Sequence, residues 1–213
     1  SGPEATKPPL PSNRRPPEAS GPSADLYARV ARRYCPPTFN LSTAFVSGVR
    51  SPIVERAVRT TPFWKLIAFD RLAPDPDVTV PRVLILPPYT GHCPTLVRDT
   101  VAAFLPGHAV HVAGWADARR VPLSAGAFGF GEAVEAVAEM VMEIGDPVHV
   151  VAVTEAGVIG IAAAALLGAR SHPPASLTLI GGPVDCRADH AGLAAEAAAR
   201  GLDWLVRAVI APV

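Results

Sequence analysis

VHVVAVTEAGVIG (148–160) decides the reading of this chain: a β-branched run ends at Thr154 and an Ala/Gly-rich run with helical character begins at once. Six residues of VHVVAV suit a strand buried on both faces, and AGVIGIAAAALLGA suits a helix packed close to it. A strand, a tight turn and a helix in that order hold an exposed residue at the turn, flanked by small residues because larger ones do not fit. Here Ala152 and Ala156 are the small flanks and Thr154 is at the apex.

Outward from this elbow the chain alternates strand with helix. RVLILPPY (82–89), HAVHVAGW (108–115) and SLTLIGG (176–182) read as strands. TLVRDTVAAFL (95–105), GEAVEAVAEMVMEIG (131–145) and the stretch from Glu155 to about Arg170 read as helices, the second closed by its glycine. Upstream, TAFVSG (43–48) and FWKLIAFDR (63–71) read as strands, and LYARVARRY (26–34) as a short amphipathic helix stopped by Pro36-Pro37. Apolar strands separated by helices predict an α/β fold with a doubly wound, mostly parallel sheet. Sites in such sheets lie past the carboxyl ends of the strands, which predicts one shared edge for Thr90-Gly91-His92, Trp115, Thr154 and Asp185.

Composition sets the limits. The chain has 213 residues, 49% of them hydrophobic, enough for one domain with a core. Nine of the 24 prolines precede residue 38, so residues 1–24 are expected to be a disordered Pro-rich tail and residues 25–213 the folded domain. The KPPLP stretch in that tail fits an SH3-type groove as well as a solvated tail. Lys+Arg 19 balances Asp+Glu 19, which argues against nucleic acid as a partner. Cys35, Cys93 and Cys186 form no knuckle or disulfide framework, and they read as reduced thiols of a cytoplasmic protein. The apolar stretch 156–169 is shorter than the roughly 20 residues of a membrane span. No cofactor or metal motif is expected.

Thr154 admits two roles: a nucleophile, needing a base to remove its proton, or a helix-capping hydroxyl. PPYTGHC (87–93) follows a strand and precedes a helix, so Gly91 and His92, with the amide of Glu155, could surround an oxyanion; an ordinary loop is the alternative. Asp185 could be an acid or a loop residue paired with Arg187. His190 alone among the six histidines follows the elbow on the expected edge, and it is the candidate base.

Several blocks, taken in order, are similar to the intracellular polyhydroxyalkanoate (polyhydroxybutyrate) depolymerases of the α/β-hydrolase superfamily. They are RRYCPPTFNL (32–41), PFWKLIAFDR (62–71), RVLILPPYTGHCPTLVRDTVAAFLPGHAVHVAGWADARRVPLSAGAFGF (82–130), VHVVAV (148–153), SLTLIGGPVDCR (176–187) and GLDWLVRAVI (201–210). The resemblance implies an ester hydrolase of storage polyester, located in the cytoplasm at granules. It also implies a cysteine nucleophile where this chain has Thr154, and a catalytic Asp and His further downstream than Asp185 and His190. The expectation is therefore a degenerate or truncated depolymerase-like protein, inactive alone. The alternatives are a granule- or depolymerase-associated binding protein, or an active esterase using Thr154. A polyester surface, or a protein covering an open sheet edge, is the expected partner.

Overall fold

The computed structural model describes residues 37–46, 48–72, 80–89, 93–182, 184–185, 195, 199–205 and 207. Residues 36–196 fall in one compact unit; among the described residues of the other, Leu202–Leu205 is a short helix and the Arg200 guanidinium lies 4.5 Å over the Trp204 ring. The expected tail and the expected helix at 26–34 lie outside the described residues.

The main unit is built on seven strands: β1 (Thr43–Val46), β2 (Val49–Thr60), β3 (Trp64–Arg71), β4 (Arg82–Leu86), β5 (Ala109–Trp115), β6 (Val148–Val153) and β7 (Ser176–Ile180). Their order across the sheet is β1-β2-β3-β5-β4-β6-β7. The wound half, β5-β4-β6-β7, is parallel as its apolar runs predict. The other half, β1-β2-β3, is antiparallel and joins β5 antiparallel, so the sheet is mixed. β2 is a 12-residue strand that no apolar run in the sequence marks, with Pro52 inside it and charged residues along it. Its burial explains why: apart from Ser51 and Ile53, most of its side chains face solvent, so no apolar run marks it.

Among the described residues three α-helices cover the sheet: α1 (Arg98–Phe104), α2 (Phe130–Ile144) and α3 (Ala156–Ala169). Alternation along the strands divides the core in two. Leu84, Leu86, Val150 and Ala152 face α2 and α3, with Met140, Ile159 and Leu167 fully or nearly buried against them. Val83, Ile85, Val112 and Val151 face α1 through Val97, Val101 and Leu105. The chain thus leaves β4 across one face to reach β5, then returns over the other face to β6. That reversal opens a crevice between the carboxyl ends of β4 and β6.

Candidate active site

Thr154 stands at that crevice, in the turn between β6 and α3. Its backbone is left-handed, φ 54°, and for a β-branched residue this is a strained conformation costing about 1–2 kcal/mol. Three contacts hold it there. The Thr154 N–H donates to the Ile180 carbonyl at 2.8 Å, joining the ends of β6 and β7, and the Gly157 N–H donates to the Thr154 carbonyl at 3.0 Å. Gly182 closes over that carbonyl so tightly that a Cβ at this position would lie 2.1 Å from the oxygen. On the helix side, Gly160 lets α3 approach β6, since a Cβ there would meet the Ala152 Cβ at 3.2 Å.

The capping role considered for Thr154 is not found. The residue preceding α3 is Glu155, no side chain caps the helix, and the Thr154 hydroxyl donates instead to the Glu155 carboxylate at 2.6 Å. The cause is conformational: a capping residue works from extended backbone, and a left-handed Thr154 aims its hydroxyl elsewhere. Glu155 was expected to contribute its amide; its carboxylate is the neighbour that matters to the hydroxyl, and adjacency in sequence is the signal for it.

The remaining candidates are unevenly placed. Gly91, His92 and His190 lie outside the described residues, so no distance joins them to Thr154. Asp185 is exposed, beyond the end of β7. Three histidines are hydrogen-bonded elsewhere: His149 Nδ1 pairs with the Ser176 hydroxyl at 2.8 Å, His172 Nδ1 with Asp146 at 3.0 Å and His108 Nδ1 with the Phe104 carbonyl at 3.3 Å; a fourth, His111, lies within β5, away from the elbow turn. Among the described residues no group of three or more His, Cys, Asp or Glu side chains is placed to hold a metal ion, and no helix is long and apolar enough to cross a membrane.

Beside the elbow, at the same edge of the sheet, is a cavity of about 400 Å³ that the sequence did not announce. Phe63 precedes β3, Tyr89 follows β4, Trp115 ends β5 and Phe128 precedes α2, so four separate segments bring four rings together. Phe63 and Phe128 stack at 4.7 Å, and Tyr89 meets Trp115 edge-on at 5.3 Å. The Trp115 indole N–H makes a long 3.4 Å hydrogen bond to the Pro87 carbonyl, which ties this wall to the loop after β4. Thr154 is not among the residues lining the cavity.

No protein-family model matches the sequence, and no curated protein matches it either. Solved structures do match at low identity. A predicted CIB-like hydrolase from Thermoplasma acidophilum is 9% identical, with a TM-score of 0.42 over 62% of this chain and 64% of that one. The thioesterase domain from the curacin biosynthetic pathway is 16% identical, with a TM-score of 0.44 over 73% of this chain and 54% of that one. Two fungal esterases from Rhizomucor miehei are represented at 16% identity, with a TM-score of 0.43 over 63% and 45%. This chain therefore spans between about half and two thirds of the length of these structures.

Proposed function

We propose that this protein is a polyhydroxyalkanoate-depolymerase-like member of the α/β-hydrolases that associates with storage polyester in the cytoplasm and does not cleave it alone. The observation that carries the proposal is the apex residue of the elbow. A thiolate attacks an ester directly, but a threonine hydroxyl is protonated near neutral pH and needs a base in place. The Thr154 hydroxyl is held by Glu155 and by no histidine in the hydrogen bonds of the described residues. The methyl group beside it further crowds an attack. The blocks shared with the depolymerases support the polyester as ligand.

A second reading has one observation in its favour, the 2.6 Å bond itself. With Glu155 as base, the Thr154 oxygen would bond to the ester carbonyl carbon while its proton passes to the Glu155 carboxylate. That proton would then leave on the departing alcohol, and water would release the acid from Thr154. One assay separates the readings: soluble 3-hydroxybutyrate released from amorphous polyhydroxybutyrate granules by the wild type, Thr154→Val, Thr154→Cys and Glu155→Gln. We expect all four at background, with the wild type co-sedimenting with granules. Turnover by the wild type that vanishes in both Thr154→Val and Glu155→Gln would establish the threonine esterase instead.

A further inference from the structure

The aromatic cavity takes no part in the elbow chemistry, and its walls define what it would hold. We propose that it binds one neutral, short-chain acyl ester. The choice of an ester rests on the polyester reading above; neutrality, size and apolar character come from the cavity. Its volume, about 400 Å³, is at the small end of ligand-binding pockets, room for a monomer- or dimer-sized molecule and not for a length of polymer. Its sides are the rings of Phe63, Trp115 and Phe128 with Val121 and Leu123, surfaces that favour methyl and methylene groups.

Charge points the same way. Asp117 lines the cavity, but the Arg119 guanidinium grips both its carboxylate oxygens, at 3.0 and 2.8 Å. A ligand carboxylate would lie near Asp117 and lose its hydration, and among the described lining residues there is no Lys, Arg or His to replace it. A neutral ester avoids that cost. Tyr89 supplies the one polar element such a ligand needs, since its phenolic O–H can donate to an ester carbonyl. The rings come from four segments and contact one another, so the cavity is held open by the same packing that forms the core at this edge. Leu123, 99% exposed, stands at the rim.

The test is calorimetric titration of the full chain, followed in parallel by tryptophan emission, with methyl butyrate, with the methyl ester of the 3-hydroxybutyrate dimer, and with butyrate as the charged control. Both esters should bind, at least tenfold more tightly than butyrate. Two variants locate the site: Ala118→Phe fills the cavity from an exposed lining position, and Leu123→Asp places a charge at its rim. Each should weaken the esters at least tenfold while keeping the wild-type circular dichroism. If Ala118→Phe does not fold, the exposed Leu123→Asp still decides. Absence of ester binding up to the solubility limit, butyrate binding as tightly as its ester, or esters bound unchanged by the folded variants would overturn the proposal. Granule co-sedimentation of the same proteins keeps the two proposals apart. Esters bound without granule association leave the cavity site standing and remove the polyester role, and granule association without ester binding does the reverse.

Discussion

The parallel and antiparallel halves of the sheet use hydrophobic residues in opposite ways. In β4 and β6 consecutive side chains are buried on both faces: Val83, Leu84, Ile85 and Leu86 are all fully buried, and Val150, Val151 and Ala152 nearly so. In β2 adjacent residues divide, Ile53 buried at 6% and Val54 exposed at 42%. A strand locked from both sides can carry a strained turn at its end, because the surrounding contacts fix the backbone that the turn distorts. A strand open on one side supplies fewer such contacts, and the elbow with Thr154 is found on the locked half.

The largest way to break that contrast is to open the locked half. Leu84→Ala empties a site between β5 and β6 beneath α2 and should cost about 2–5 kcal/mol in chemical denaturation. A loss below 1 kcal/mol would mean that the parallel half collapses around cavities more easily than its packing implies. Next comes Gly182→Ala, where the new Cβ meets the Thr154 carbonyl, a backbone atom that cannot move aside without moving the elbow. Overpacking of this kind should cost about 1–3 kcal/mol, and the same substitution at Gly107, where nothing lies within 4 Å, is the control.

His111 tests the seam where β5 receives the antiparallel β3. Its Nδ1 is buried without a hydrogen-bond partner among the described residues, and burial, opposed more weakly by the backbone at Ala109 and by Asp70, holds its pKa below the ordinary histidine value. The unfolded chain therefore binds a proton first as pH falls. Stability should be full above about pH 6.5 and decline below it, with a slope from this group of at most about 1.4 kcal/mol per pH unit. His111→Leu should flatten the decline between pH 7.5 and 5.5; an unchanged pH profile would assign acid sensitivity to other groups.

Thr154→Gly sharpens the comparison from the other side. Glycine adopts φ 54° freely, which relieves about 1–2 kcal/mol of strain, while its greater freedom in the unfolded chain returns about 0.5–1 kcal/mol. A net gain of about 0.5–1 kcal/mol in thermal denaturation is expected. A loss would show that the bond to Glu155 outweighs the strain.

How much of this was legible in the sequence follows from the same contrast. β4, β6 and α3 were readable because burial on both faces leaves no polar interruption, and the elbow was readable from the switch between two apolar patterns at Thr154. β2 was not, since an exposed antiparallel strand with Arg50, Glu55, Arg56 and Arg59 has no need of an apolar run. The aromatic cavity was equally hidden: Phe63, Tyr89, Trp115 and Phe128 are separated in the chain and meet only because β3 runs antiparallel to β5, pairing Trp64 with Trp115. The carboxylate of Glu155 escaped notice for a conformational reason, the left-handed backbone that turns the Thr154 hydroxyl toward it.

The smallest expected effect lies in β2. Val54→Thr keeps the β-branched shape and replaces a partly exposed methyl with a hydroxyl that water can satisfy, so stability should change by no more than about 0.5 kcal/mol. Ile53→Thr, one residue earlier, puts the same hydroxyl against Ile67 and Phe69 in the core and should cost at least 1 kcal/mol more than its neighbour. The pair reads register directly, because a slip of one residue would exchange the two faces of the strand. Equal losses at both positions in urea denaturation would mean that the outer face of β2 is covered. A larger loss at Val54 would mean that β2 pairs with β3 one residue away from the alignment of Ile53 with Arg71 and Val54 with Asp70.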